Sequence, residues 1–212
     1  MSLYLSSIFD SPNQISSILS HLIPELYSSA SIQPPTTSVL ILLLHHLNAG
    51  YPSQRTYFDH LSRLSPNVLD RTSEAYEWIS NLAMSLRTHN YIRFDTFSRR
   101  DVYERLLPVF TTSDEKRTRL DGLPRDALQT LVDRLRDKGR DMTWMVLRSA
   151  YRELSASDES RAWLGKCLLL SSEQPTSIPG PSFEEWMDGR CQDGHVQPKG
   201  GAKGRWIVCK VR

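Results

Sequence analysis

The sequence predicts a mainly helical protein whose only strands form a small hairpin at its C-terminal end. Apolar residues recur at three- and four-residue spacing from Ile15 to Met187, the period of amphipathic helices. Clusters of Pro, Gly and Asn punctuate that rhythm, as helix ends require. Strand-like alternation is confined to the C-terminal end, where Trp206, Val208 and Lys210 alternate with Ile207, Cys209 and Val211.

The 212 residues suffice for one large domain or two small ones, and either buries a core without covalent staples. A hydrophobic share of 39% and a charged share of 24% exclude wholesale disorder and a fibrous repeat. The longest apolar run, residues 39–44, stops at His45 and His46, far short of the roughly 20 residues a membrane helix needs. Ser2, Ser6, Ser7, Asp10 and Ser11 interrupt the N-terminal apolar residues, so no secretory signal is read there and an intracellular protein is expected. Cys167, Cys191 and Cys209 form no C-x-x-C pair and fit reduced thiols rather than a disulfide framework.

Asn13 or Ser11 can cap a first helix through Ile15, Ile18, Leu19, Leu22, Ile23 and Leu26. Small residues and a Pro-Pro pair at 28–35 break the pattern, after which Thr36 or Thr37 can cap an apolar helix ending near Asn48 and Gly50. A helix over 53–64 places Tyr57, Phe58, Leu61 and Leu64 on its apolar side. A longer one over 72–88 carries Ala75, Trp78, Ile79, Leu82, Ala83 and Leu86 before His89 and Asn90 end it. Tyr91, Phe94 and Phe97 start another short helix, and 102–110 is apolar enough to pack. The charged stretch 111–123 reads as a variable linker. Pro124 suits the first turn of a helix through Leu128, Leu131, Val132 and Leu135, with Lys138-Gly139 as a possible stop. The domain boundary falls after the linker, dividing the chain into 1–135 and 136–212.

The last third differs. A helix over 142–154 is amphipathic through Met145, Val146 and Tyr151. Ser155 or Ser157 caps a second, holding Ala162, Trp163, Cys167 and Leu168, and Ser182 caps a third through Phe183, Trp186 and Met187. Strand character at His195, Val196 and Gln197 and again from Trp206 is joined by the basic, glycine-rich loop 199–204. Three helices followed by such a hairpin is the element order of a winged helix.

Charge is distributed unevenly. Residues 1–54 contain no Lys or Arg, whereas 195–212 contain Lys199, Lys203, Arg205, Lys210 and Arg212 and no acid. Lys199, Lys203, Arg205 and Lys210 are therefore the candidate nucleic-acid contacts, on a hairpin whose base Trp206 anchors. The alternative role of these lysines is to keep an edge strand soluble.

Catalytic chemistry finds no purchase. The 200–205 loop lacks the Ser/Thr and the following helix of a phosphate-binding loop, and no G-x-S-x-G or H-E-x-x-H occurs. Cys191, His195 and Cys209 lack the paired spacing of a zinc site. His45 and His46, adjacent on a helix, point about 100° apart, and Asp133, Asp137 and Asp141 read as a solvated face. The expectation is a protein with no catalytic residue, metal, cofactor or small-molecule substrate.

The stretch 75–97, AYEWISNLAMSLRTHNYIRFDTF, resembles the GANP/Sac-three family of messenger-RNA export scaffolds within the PCI superfamily. The likeness is carried by a helix followed by Asn90, Tyr91, Arg93 and Phe94, and extends to 14–27 and 128–154. From the residues alone, Asn90 can end one helix in a left-handed conformation while Tyr91 and Phe94 begin packing the next; Arg93 stays at the surface or pairs with an acid. The resemblance implies a PCI-like helical stack merging into a winged helix, and a non-catalytic scaffold that docks a second PCI protein through that winged helix. It also implies RNA or DNA contact, no membrane attachment, and a nuclear location with a cytoplasmic pool. A protein-only role, as in proteasome-lid or centrosome-linked relatives, is the alternative. Family members usually carry an Arg-rich, Asp-Phe-containing segment upstream, which this chain begins too late to include, so a truncated or reduced member is expected.

Overall fold

The computed structural model describes residues 2–27, 35–107, 115–170, 180–201 and 204–210. In chain order the helices are α1 (Ser2–Ile8), α2 (Pro12–Tyr27), α3 (Thr36–Gly50), α4 (Arg55–Arg63), α5 (Glu74–Arg87), α6 (Tyr91–Phe97), α7 (Arg100–Glu104), α8 (Glu115–Ala150), α9 (Asp158–Cys167) and α10 (Phe183–Gln192). The strands are β1 (Glu153–Ser155), β2 (Val196–Pro198) and β3 (Arg205–Val208). The chain forms two compact units, Met1–Thr88 with Phe97–Leu135, and His89–Thr96 with Arg136–Arg212. No helix among the described residues is long and apolar enough to cross a membrane.

In the first unit, α3 is the centre because it is apolar on every side. Val39, Leu40, Ile41, Leu42, Leu43 and Leu44 are fully buried, the pattern of a helix surrounded by others. That burial replaces a cap: Pro35 precedes the helix with no side-chain hydrogen bond, and Thr37 is buried, so neither threonine caps it. Buried polar side chains in this core satisfy their own donors on backbone carbonyls. Asn48 Nδ2 donates to the Leu131 carbonyl at 2.9 Å, Gln54 Nε2 to Ala83 at 2.9 Å and Trp78 Nε1 to Phe97 at 2.8 Å. Ser73 caps α5 by accepting from the Tyr76 amide.

Two sequence expectations are refined at the N-terminus. The serines read as interruptions lie within α1, where Ser6 and Ser7 are buried and donate their hydroxyls to the Leu3 carbonyl at 2.9 Å each. A serine that returns its hydroxyl to the preceding turn costs a helix little. For α2 the start is Pro12, preorganised for a first helical position; of the two cap candidates Ser11 stands just before the helix, its carbonyl accepting from the Ile15 amide at 2.9 Å, and Asn13 lies inside it.

The longest helix overturns two others. Residues 115–123, expected within a linker, belong to α8, and neither Pro124 nor Gly139 ends it; residues 111–114 lie outside the described ones, as do 28–34. Proline forfeits one helical hydrogen bond, yet one face of α8 stays buried past it, through Ala127, Leu128, Leu131, Val132 and Leu135. Gly139 keeps a negative φ, so it does not adopt the left-handed turn of a helix stop.

In the second unit, α8 ends at Ala150 and β1 follows at once, where a helical residue had been expected. The strands form an antiparallel sheet in the order β1-β3-β2, with Leu154 opposite Trp206 and Val196 opposite Val208. Leu154, Val196 and Val208 turn inward to meet Trp144, Leu164 and Trp186. The indole of Trp144 meets that of Trp186 edge to face at 4.8 Å. The inward face of α8 here is thus Trp144 and Leu147. Met145, Val146 and Tyr151, expected to bury, are exposed, as is Trp163 on α9. Trp144 and Met145 are both apolar, and only the sheet decides which of two faces about 100° apart is covered.

Both remaining helices start on serine caps. Ser157 accepts from the Ser160 amide, and Ser182 forms a reciprocal capping box with Glu185. Donation from the Ser182 amide and hydroxyl holds the Glu185 carboxyl below its usual range. Replacing Ser182 with Ala is expected to lower unfolding stability by about 1 kcal/mol, visible as a lower urea midpoint at unchanged slope.

Candidate functional site

The outward face of the sheet carries the basic residues singled out in the sequence. Because Glu153 pairs with Ile207, and Ser155 with Arg205, these side chains share the face opposite Leu154 and Val208. Glu153 lies between two of the four candidates: Lys199 Nζ sits 2.8 Å from one carboxylate oxygen and Arg205 Nη1 3.4 Å from the other. The Lys199 hydrogen bond, followed by the charges of Lys199 and Arg205, holds the Glu153 carboxyl below the usual range. Two cations expected to face a polyanion are therefore joined to an acid from the preceding strand. Lys203 lies outside the described residues. Lys210 is exposed beyond the end of β3, and Trp206 packs its ring on Phe183, centroids 6.1 Å apart.

Beside this face is a groove of about 420 Å³ between the last turn of α8 and β3. Arg148, Tyr151, Arg152, Ile207 and Lys210 line it with Ser149, Ala150 and Val208. Arg148 Nε donates to the Cys209 carbonyl at 2.7 Å, and the Val208 amide donates to the Arg152 carbonyl at 2.9 Å, so helix end and strand are tied. Ile207 is 46% exposed, and Met145 and Val146 lie exposed one helical turn before the lining residues. Arg148 and Arg152 stand at i and i+4, a spacing legible in the sequence as two cations close together, although α8 ends at Ala150 before Arg152. Their shared groove is hidden in the sequence by the unforeseen strand β1.

The four residues that carry the family resemblance divide between core and surface. Tyr91 and Phe94 are buried and Arg93 is exposed. The left-handed residue is His89, with φ of 53°. Asn90 starts α6 instead, its side-chain oxygen accepting from the Arg93 amide at 3.0 Å. A polar side chain that can satisfy a free helix-start amide does more there than at a helix end.

A second cluster, unread in the sequence, lies at the C-terminus of α9. Leu169 takes φ of 55° and is fully buried, so its carbonyl needs donors from within the protein. Two arginines one turn apart on α8 supply the donors: Arg140 reaches the Leu168 carbonyl at 2.9 Å and that of Leu169 at 3.2 Å. Arg136, 1% exposed, reaches Leu169 at 3.3 Å and Asp95 at 2.9 Å. Cations at a helix C-terminus also oppose its partial negative charge. Asp137 pairs with Arg140 at 2.6 Å.

Cys191, His195 and Cys209 do not gather around a common point: among the described residues no group of three or more His, Cys, Asp or Glu is placed to hold a metal ion. The Nδ1 of His195 accepts the indole N–H of Trp144 at 3.1 Å. Burial first, then Arg148 and Arg190, lower its pKa, which keeps that lone pair available. In the first unit, His46 stacks not on its neighbour but on His60 of α4, centroids 3.7 Å apart.

Comparisons with protein-family models, with curated proteins and with solved structures find no match for this chain.

Proposed function

We propose that the protein is a non-catalytic scaffold of the GANP/Sac-three type, which docks a PCI partner in a nuclear assembly for messenger-RNA export. The observation that carries this reading is the order of elements in the second unit: helix, strand, two helices and a hairpin, with β3 between β1 and β2. That order is the one a winged helix has, and it stands beside the motif of Asn90, Tyr91, Arg93 and Phe94. The helical first unit supports a PCI-like stack ahead of it. Affinity purification of the tagged protein from nuclei tests the reading: a PCI-domain protein is expected as the main stoichiometric partner, and recovery of the chain alone refutes it.

The pairing of Lys199 and Arg205 with Glu153 favours a second reading at the hairpin, that of an assembly surface without nucleic-acid contact. Phosphate binding there would compete with two exposed ion pairs, each individually weak. The K199A/K203A/R205A variant is accordingly expected to bind single-stranded RNA within about twofold of wild type across a salt titration. A loss of about tenfold at low salt, with a shallower salt slope, would instead assign the hairpin to nucleic acid.

A further inference from the structure

We infer that the groove between the end of α8 and β3 seats an acidic, amphipathic segment of a protein partner, which deepens the scaffold reading by naming the chemistry its C-terminal unit recognises. The groove combines two properties that call for one kind of occupant. Its charged lining residues, Arg148, Arg152 and Lys210, are all cationic. Its apolar lining is left open, with Ile207 46% and Tyr151 44% exposed. Exposed aliphatic side chains grouped beside charge of one sign mark a protein-binding patch, and carboxylates complement the cations.

Nucleic acid fits less well. Binding of single strands uses several aromatic faces on which successive bases stack, whereas Tyr151 is the one aromatic among the described residues lining the groove, and it meets Trp163 edge to face at 5.5 Å. Glu153, cross-strand from Ile207, is engaged by Lys199 and Arg205, so the groove's own charged lining stays cationic. A peptide helix with apolar anchors at i, i+3, i+4 and i+7 and acids between them satisfies both properties of the groove. Arg148 holds the groove together through the Cys209 carbonyl, so the recognition residues are Arg152, Ile207 and Lys210.

The test is fluorescence anisotropy on the full chain with a labelled peptide of about 15 residues, bearing Leu and Phe at those spacings and Asp or Glu elsewhere. Wild type is expected to bind it, and R152E/K210E and I207D each to weaken binding at least about tenfold. K199A/R205A should leave it within about twofold, and unchanged circular dichroism shows that the variants fold. Equal affinity of wild type and R152E/K210E overturns the inference, as does tighter binding of an oligouridine lost in the same variant. If a PCI partner still co-purifies with R152E/K210E, the groove inference fails while the scaffold reading stands; if none co-purifies with wild type, the scaffold reading fails by itself.

Discussion

Replacing Arg136 with Met is expected to lower the stability of the second unit by about 3–5 kcal/mol, the largest effect of any single substitution considered. The side chain is 1% exposed and its partner Asp95 14% exposed, so removing the guanidinium leaves a carboxylate in a site that water hardly reaches. The Leu169 carbonyl, held inward by a left-handed backbone, loses one of its two arginine donors at the same time. Urea unfolding monitored by tryptophan fluorescence reads the loss, since Trp144 and Trp186 both lie in this unit's core. Arg136→Lys should recover little of it, because an ammonium lacks the fork that reaches both acceptors. Pairing Arg136→Met with Asp95→Leu should restore a substantial part by removing the buried carboxylate as well, and a double variant no better than the single one would show that the loss does not lie in the Arg136–Asp95 pair.

Acidification is expected to destabilise the first unit. His46 is held down from 6.5 to about 4, by burial first and then by His60 and His45. His60 is also lowered, by burial and then by Arg63, with Asp59 acting against it. Below about pH 6.5 the unfolded chain takes up protons that the folded pair refuses, so the unfolded state gains. Stability is full above that pH, declines as pH falls, and the His46 share of the loss is complete below about pH 4. Allowing for screening at its solvent-facing side, that share is about 1–2 kcal/mol. The measurement is the urea midpoint between pH 7 and pH 4 for wild type and His46→Phe, which keeps a flat ring on His60 without the titrating group. The variant should show the shallower pH dependence, and parallel curves would remove His46 as the cause.

The legible and illegible parts of this protein divide along physical lines. Helix faces in which one stripe is apolar were readable: Ala75, Trp78, Ile79, Leu82 and Leu86 all bury as their spacing implies. So were the starts at Ser157 and Ser182, because a cap acts within one turn. The division of α8 was not readable, since Pro124 and Gly139 carry local signals that the burial of one continuous face overrides. The candidate site was half visible. Composition located the basic end of the chain, but Glu153 lies 46 residues before Lys199 and its role appears only once β1 and β3 pair.

By itself the sequence determined the mainly helical class, the helix-forming stripes, the caps at Ser157 and Ser182, and the C-terminal hairpin, all of which follow from interactions between residues close together in the chain. Tertiary structure alone decided which side of Trp144 and Met145 faces the core, that Lys199 and Arg205 meet Glu153, and that Arg136 meets Asp95. The reason is that burial and ion pairing depend on distance in space, and no local spacing encodes which distant strand or helix will be there.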